Sequence, residues 1–193
     1  MQSNLIRAFD IALSLLGILL ASPLLVIIFI AGLVTNGAPL FFQQRVGLGQ
    51  QPFTLVKFRS MATSTRSVGT HLVDSSAITP LGRFLRRSKL DELPQLYNVL
   101  SGDMSLVGPR PCLPNQLELI DERESRGVFN ARPGITGLAQ INGVDMSSPR
   151  KLAIYDSLML RNMSLANYLC LILATATGRG AGDRVRYGTD HKQ

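Results

Sequence analysis

Residues 11–35 read IALSLLGILLASPLLVIIFIAGLVT and contain no charged side chain. A helix that crosses a bilayer needs about 20 apolar residues, so this stretch predicts a membrane-embedded helix. The run is too long for the apolar part of a signal peptide and no A-x-A-like cleavage site follows it, which disfavours a cleaved leader. A purely soluble domain is therefore disfavoured from the start.

Pro23 lies near the middle of this run. Proline lacks an N–H and clashes with the carbonyl of Leu19, so the helix is expected to bend or break at Ser22-Pro23, where the Ser22 hydroxyl could satisfy a freed carbonyl. Two topologies stay open on the residues alone: a kinked helix that spans the bilayer, and a re-entrant helix that enters and leaves by one face. Kinked spans with proline are common, which favours the span. In both cases the Arg and Lys excess after the run predicts that the polar part is cytoplasmic.

The charge of the chain lies almost entirely after this segment. The 193 residues hold 20 Lys plus Arg and 13 Asp plus Glu, a net charge of +7, and in residues 1–36 only Arg7 and Asp10 are charged. From Lys57 to Lys89 there are seven bases and one acid. Such a field attracts phosphate, either in a substrate or in anionic lipid headgroups. Aromatic residues make up only 6% and Trp is absent, so nucleic acid is not expected as a partner.

The polar part has the length of one domain and predicts a mostly helical α+β fold. Leu40–Val46 and Phe53–Arg59 are predicted strands of a small β-hairpin, joined by the Gly-rich loop 47–51. Strand alternation places Lys57 and Arg59 on one face. The polar segment 63–78 is predicted to be a mobile loop and the tail from Gly178 to be disordered.

After the hairpin the sequence predicts four helices, the last of which is short and apolar. Thr79-Pro80 is typical of a helix start, with Thr as N-cap and Pro at the first helical position. Helices are also predicted from about Glu92 to Leu100, with Asp91 at or beside the N-terminus, and over 114–126, with Leu117 and Ile120 inward and Gly127 at the end. Residues 165–177 are apolar but too short to span, which predicts an interfacial or core helix.

Asp91-Glu92 is the first candidate for chemistry. Successive helical residues point about 100° apart, so the two carboxylates cannot face each other across a bond as in a glycosidase, and their roles must differ. A carboxylate at a helix N-terminus, near Arg86 and other bases, stays ionised and could act as a nucleophile or as an Mg²⁺ ligand. The simpler alternative is that Asp91 is only a helix cap.

Two proline-containing loops are further candidates. In Gly108-Pro109-Arg110-Pro111 the prolines stiffen the chain around one guanidinium, which could bind a phosphate or base edge with little loss of entropy; the alternative is a rigid turn with an exposed Arg. Arg132–Gly137 reads RPGITG, and its glycines could let the backbone approach a ligand closely. Cys112 and Cys170 form no metal spacing or credible disulfide framework. No P-loop, dinucleotide motif or Ser-His-Asp candidate appears, which disfavours an ATP-driven reaction.

Taken in order, these features resemble the bacterial sugar transferase family, the small monotopic phosphoglycosyl transferases, over about residues 4–177. The resemblance rests on motifs in fixed order, which are Arg7–Asp10 before an apolar run with Ser22-Pro23, Phe41–Gly47, Lys57–Met61, Lys89–Leu96, Asn98–Leu100, Gly102–Pro111 and Arg132–Asn142. In the family the helix is re-entrant and broken at the Ser-Pro pair, so the resemblance reverses the preference for a span. It implies a membrane-embedded part over 1–36, a catalytic domain over 37–178 at the cytoplasmic face of the bacterial inner membrane, and a tail over 179–193.

The resemblance also implies an activity. Sugar-1-phosphate moves from a UDP-sugar to a polyprenyl (undecaprenyl) phosphate with release of UMP, in the first membrane step of glycoconjugate synthesis. The residue matching Asp91 attacks the diphosphate, Mg²⁺ is required, and Glu92 helps to position or bind it. The bases that match the family's phosphate or nucleotide contacts are Lys57, Arg59, Arg86, Arg110 and Arg132. For the sugar we expect an N-acetylated amino or diamino deoxy sugar; the oligomeric state stays open.

The chain departs from the family pattern near its C-terminal end. Leu138 stands where an aromatic residue is frequent, Leu158 and Met159 where a Tyr is common, and Asn167-Tyr168 where an Asp usually follows. Two other functions stay open: a basic module without enzymatic activity that tethers a partner or nucleic acid to the membrane, and an Mg²⁺-dependent lipid phosphatase that uses the same carboxylate.

Overall fold

The computed structural model describes residues 4–62 and 77–177 as a mostly helical α+β fold with two small sheets, as expected. The elements are α1 (Asn4–Asn36), β1 (Leu40–Val46), β2 (Pro52–Phe58), α2 (Pro80–Arg87), α3 (Gln95–Ser101), β3 (Ser105–Val107), α4 (Leu117–Glu124), β4 (Gly134–Thr136), α5 (Leu138–Ile141), α6 (Pro149–Arg161) and α7 (Leu165–Ala176). Short 3-10 turns cover Leu48–Gln50, Leu90–Glu92 and Val128–Asn130. The predicted mobile loop over 63–78 falls almost wholly, and the predicted tail wholly, outside the described residues.

Within the described residues, α1 is the one helix long and apolar enough to cross a membrane, with a mean hydropathy of 2.8. Its 33 residues would measure about 50 Å if straight, more than the roughly 30 Å of a bilayer's hydrocarbon core. Most of its surface is exposed and apolar: Leu20 is 73% and Val34 82% exposed. A continuous exposed apolar surface of this kind is typical of a helix that contacts lipid or another protein.

One face of α1 is docked on the rest of the protein near both of its ends. Ile6, Asp10 and Ser14 are buried in the first half, and Ile28 packs with Phe58 and Leu85 near the other end. These positions recur at the helical spacing of three to four residues, so they share one face. The helix thus lies along the domain at both ends instead of leaving it at one.

The helix is continuous past Pro23, so the break predicted at Ser22-Pro23 does not interrupt it. Proline denies Leu19 its usual backbone donor, but Ser22 Oγ donates a hydrogen bond to the Leu19 carbonyl at 2.8 Å. The hydroxyl therefore satisfies the freed acceptor, as the sequence suggested. Whether α1 is re-entrant in a membrane stays a prediction.

The predicted hairpin is confirmed, with β1 and β2 antiparallel and Leu40 opposite Phe58. The helix start at Thr79-Pro80 is also confirmed, since the Thr79 side chain accepts from Gly82 N at 3.0 Å and Pro80 opens α2. A Cβ atom at Gly82 would collide with the Ser60 carbonyl. The absence of a side chain at Gly82 is what lets α2 start directly against the end of β2.

Two helix predictions need correction. The helix expected from Glu92 begins only at Gln95, because Pro94 is the residue before its first turn, and Asp91 lies four residues earlier in a separate 3-10 turn. The helix expected over 114–126 is α4, and only one of its two predicted inward residues is confirmed: Ile120 is partly buried and packs against the core. Leu117 is 67% exposed, and Leu119 and Arg123 are the buried positions instead. A charged residue on the buried face misled the assignment.

A parallel pair, β3 with β4, was not predicted. Its strands have three residues each, too few for a periodic signal. A Cβ atom at Gly134 would collide with Gly108 N, and one at Gly137 would lie 2.5 Å from the Gly108 carbonyl. The glycines expected to admit a ligand therefore admit another segment of the same chain.

Candidate active site

Asp91 lies in a sharp turn between α2 and α3. The preceding Lys89 adopts a left-handed conformation (φ 59°), unusual for a residue with a side chain, and the Leu90–Glu92 turn follows directly. Leu90 packs on the cluster of Phe58 and Leu85, and this anchors the turn beside the end of β2. Asp91 is only 7% exposed. The unfavourable backbone conformation at Lys89 is thus part of the turn that holds the Asp91 carboxylate in a nearly buried position.

Glu92 faces Arg110 across the site. Arg110 Nη2 donates to Glu92 Oε1 at 2.8 Å, and the two side chains are 23% and 18% exposed. A guanidinium at this distance forms a charge-assisted hydrogen bond, about twice as strong as a neutral one. The structure therefore brings together the two strongest sequence candidates, the carboxylate pair and the proline-flanked arginine.

The loop Gly108–Pro111, named here the GPRP loop, is held from several sides. The carbonyls of Pro109, Arg110, Pro111 and the following Cys112 each accept a hydrogen bond, respectively from Gly134 N (2.9 Å), Arg123 Nη1 (2.9 Å), Arg45 Nη1 (2.9 Å) and Val46 N (3.0 Å). Two of these donors are arginine side chains and two are backbone amides. The loop is stiff because of these bonds as well as its prolines.

Lys57 and Arg59 share an aromatic neighbour that the sequence reasoning did not single out. Phe41 lies opposite Lys57 in the hairpin, with Lys57 Nζ 5.5 Å and Arg59 Cζ 5.4 Å from the ring centroid. Both distances are within the range of cation–π attraction. Arg59 also donates to the Ala38 and Leu40 carbonyls. The prediction that Lys57 and Arg59 share one face of the strand is confirmed. The pairing register of the hairpin, which sets Phe41 opposite Lys57, is the signal that could have identified the ring.

α3 is fixed against β2 by a buried amide. Asn98 is 1% exposed; its Oδ1 accepts from Val56 N at 3.0 Å and its Nδ2 donates to the Thr54 carbonyl at 2.8 Å. The side chain thus pairs with the strand edge as a neighbouring strand would. Asn98 was part of a quoted motif, but nothing in one sequence distinguishes this docking role from a surface amide.

Two other candidate bases, Arg86 and Arg132, come before and after the Asp91 turn in the sequence. Arg86 is in the last turn of α2, and its carbonyl accepts from Lys89 N at 3.2 Å just before the turn. Arg132 donates from Nε to the Gly102 carbonyl at 2.8 Å, at the end of α3 away from Asp91. Arg7 donates to carbonyls at the same end. The Arg132 carbonyl lies against Gly108, next to the segment that carries Arg110. Ser22 and Pro23 lie on α1.

No group of three or more His, Cys, Asp or Glu side chains that could hold a metal occurs in the ranges 4–62 and 77–177. Mg²⁺ commonly binds one or two carboxylates and completes its shell with water and substrate phosphates. Asp91 and Glu92, adjacent hard oxygen donors, fit such a partial site, with one Glu92 oxygen shared with Arg110.

Asp10 and Tyr168 join the two ends of the described chain. Asp10 Oδ1 accepts from Ser105 Oγ (2.9 Å), Leu106 N (2.8 Å) and Tyr168 Oη (2.7 Å). Burial and the Asp10 carboxylate raise the pKa of the Tyr168 hydroxyl, which keeps it a proton donor. The position where the family pattern has an acid thus carries a donor that ties α7 to α1.

The turn that carries Asp91 and Glu92 thus lies beside Arg110 and near a helix long and apolar enough to cross a bilayer. The chain belongs to the bacterial sugar transferase family, whose family model matches residues 1–179. Relatives of this chain include proteins named as undecaprenyl-phosphate sugar phosphotransferases.

Three relatives are similar to most of this chain. It is 43% identical over 171 residues to the uncharacterised sugar transferase EpsL of Bacillus subtilis, covering 86% of this chain and 83% of EpsL. It is 35% identical over 187 residues to undecaprenyl-phosphate galactose phosphotransferase of Salmonella typhimurium and 39% identical over 181 residues to UDP-glucose:undecaprenyl-phosphate glucose-1-phosphate transferase of Klebsiella pneumoniae. These matches cover 88% of this chain but only 39% and 38% of the two relatives.

Proposed function

We propose that this protein transfers sugar-1-phosphate from a UDP-sugar to polyprenyl phosphate, with release of UMP. The names of the Salmonella and Klebsiella relatives support undecaprenyl phosphate as acceptor, and the Klebsiella name supports a UDP-sugar donor. The observation that carries the proposal is the nearly buried Asp91 next to the Glu92–Arg110 pair. The product would enter the synthesis of a polysaccharide or another glycoconjugate.

The chemistry that fits this turn is a double displacement. A carboxylate oxygen of Asp91 attacks the phosphorus that carries the sugar, the bond from that phosphorus to the bridging oxygen breaks, and UMP leaves with the electron pair. An oxygen of the lipid phosphate then attacks the same phosphorus, the bond to Asp91 breaks, and the carboxylate is regenerated. One diphosphate is broken and one is made, so no ATP is needed. The low exposure of Asp91 keeps water from the intermediate.

The surrounding side chains suit this reaction. Negative charge gathers on the phosphate oxygens during transfer, and fixed cations stabilise it best where water is excluded. Arg110 would contact the reacting phosphates, while Lys57, Arg59 and Arg86 would hold the nucleotide diphosphate. Arg132, at the far end of α3, would contact a more distant part of a substrate. Bound at Asp91 and Glu92, Mg²⁺ would supply further positive charge to the phosphate oxygens.

We further propose that α1 is re-entrant and that the catalytic domain lies at the cytoplasmic face of the bacterial inner membrane. The docking of one face of α1 near both of its ends supports this topology, because a spanning helix would leave the domain at one end. The Lys and Arg excess after α1 supports the cytoplasmic side. The exposed apolar side of α1 would then lie among the lipid chains.

UMP release tests the activity directly. Detergent-solubilised protein would be mixed with undecaprenyl phosphate, Mg²⁺ and a panel including UDP-glucose, UDP-galactose and UDP-linked N-acetylated amino and diamino sugars. We expect UMP from at least one donor, and its loss with chelator. Free phosphate instead of UMP would identify a lipid phosphatase. Salt-sensitive anion binding that ignores Asp91 would identify a tethering module.

Thiol labelling tests the topology. Asn4→Cys and Gln51→Cys, each in a Cys170→Ser background, place one accessible thiol at the first residue of α1 and one after the helix; the remaining Cys112 is buried. A re-entrant helix predicts that an impermeant reagent labels both positions only from the cytoplasmic side. Labelling of the two positions from opposite sides would establish a spanning helix instead.

A further inference from the structure

The proposed reaction leaves one buried ion pair without a role. Arg123 of α4 and Asp156 of α6 are each 1% exposed, and Asp156 Oδ2 accepts from Arg123 Nε at 3.0 Å and from Nη2 at 2.7 Å. Arg123 is the largest fully buried side chain in the described residues. A buried ion pair of this kind cannot be explained as two surface charges that happen to attract each other in water.

Stability does not supply this reason. The desolvation of two buried charges often exceeds their attraction, and apolar replacements of similar volume are often as stable or more so. Burial raises the pKa of the Asp156 carboxyl above its ordinary value even though Arg123 lowers it. Burial therefore disfavours the ionised carboxylate, and the two bonds from Arg123 offset this cost only in part.

The third edge of the guanidinium points to the active site. While Nε and Nη2 are held by Asp156, Arg123 Nη1 donates to the Arg110 carbonyl at 2.9 Å. Arg110 in turn donates from its own guanidinium to Glu92. Because an arginine fork is planar, fixing two of its nitrogens on one carboxylate also fixes the direction of the third. The buried pair is thus connected through one backbone carbonyl to the residue opposite the catalytic carboxylates.

We propose that Arg123 and Asp156 are positioning residues that hold the GPRP loop, so that Arg110 meets Glu92 and the transferred phosphate. This inference rests on the proposed function for its catalytic consequence, but not for its structural part. The other hydrogen bonds to the loop come from backbone amides and from Arg45, on different carbonyls. Arg123 is bonded to the carbonyl of Arg110 itself.

The main test replaces the pair by apolar residues of similar size, Arg123→Met with Asp156→Leu. We expect a folded protein with kcat for UMP release lowered about 10- to 100-fold, because small misplacements in an active site have effects of this size, and with KM for the UDP-sugar changed much less. Arg123→Lys provides a second variant that keeps a positive charge but lacks the fork, and a similar fall in kcat is expected. Arg126→Met with Glu122→Leu removes a neighbouring, partly exposed ion pair and should leave kcat unchanged.

A double-mutant cycle with Arg110→Lys distinguishes a positioning role of the buried pair from a general effect on the fold. If the pair acts through Arg110, adding Arg123→Met and Asp156→Leu to Arg110→Lys lowers kcat little further. If the pair is merely structural, the two losses multiply, and the inference is overturned.

Hydrogen exchange decides the structural part without any activity. The amides of Gly108, Arg110, Cys112 and Leu113 should exchange at least about tenfold faster in the apolar double variant than in the wild type, while peptides from α1 and α2 are unchanged. Unchanged exchange over 108–113 would overturn the positioning role. If the wild type released no UMP, the proposed function would fail, and this exchange result would still decide whether the pair holds the loop.

Discussion

Arg110→Lys is the sharpest perturbation of the candidate site. The 2.8 Å contact between Arg110 Nη2 and Glu92 Oε1 joins two side chains that are 23% and 18% exposed. A hydrogen bond between charged groups contributes about 1.5–3 kcal/mol, and partial exposure places this pair near the lower end. Lysine keeps the charge but not the planar fork, so most of this contribution is lost. A loss of about 1.5–2 kcal/mol corresponds to a fall in kcat/KM of about 10- to 30-fold.

The assay is UMP release under conditions limited by kcat/KM, for Arg110→Lys, Glu92→Gln and the double variant. Because the two residues act through one contact, the double variant should be little slower than the slower single variant, which gives a coupling energy of about 1–2 kcal/mol. Arg150→Lys, an exposed substitution on α6, is the matched control and should stay within about twofold of wild type. If Arg110→Lys kept more than half of the wild-type kcat/KM, or if the single effects multiplied, the contact would not matter for catalysis.

Two further substitutions test the surroundings of the site. Phe41→Leu removes the ring shared by Lys57 and Arg59, two contacts of about 0.5–1 kcal/mol each, so KM for the UDP-sugar should rise about 5- to 30-fold in initial-rate assays. Phe41→Tyr keeps the ring and should stay near wild type. An unchanged KM for the leucine variant would show that the ring does not position the bases. Tyr168→Phe leaves the buried Asp10 carboxylate with one donor fewer, at a cost of about 1–3 kcal/mol, and should lower the thermal unfolding midpoint in detergent by several degrees; an unchanged midpoint would contradict a tie between α7 and α1.

The sequence predicted the elements whose signals are local. The uncharged run over 11–35 gave α1, the alternation around Lys57 gave the hairpin, and Thr79-Pro80 gave the start of α2, with its N-cap bond in place. Each of these depends on residues within a few positions of one another. The catalytic candidates Asp91, Glu92 and Arg110 came from motifs, and the structure places Glu92 and Arg110 in direct contact.

Other features depend on contacts distant in sequence and left no readable pattern. The bond from Arg123 to the Arg110 carbonyl and the pair with Asp156 need α4, α6 and the GPRP loop to meet. Leu117 was wrongly placed on the inward face of α4 because the buried face carries an arginine where a periodic pattern expects an apolar residue. Asp91 was placed at a helix start because a proline in a first turn suggests one, whereas Pro94 separates the 3-10 turn from α3.

The most direct test of the account is intact mass spectrometry of the protein after addition of the UDP-sugar that supports UMP release, without polyprenyl phosphate. The double displacement predicts a mass increase equal to one sugar phosphate with release of UMP, mapped to the peptide that contains Asp91 and absent in Asp91→Asn. Undecaprenyl phosphate added afterwards should remove the added mass. Wild-type protein that releases UMP only when the lipid is present, and never carries the sugar phosphate, would show that the lipid phosphate attacks directly and that Asp91 is not the nucleophile.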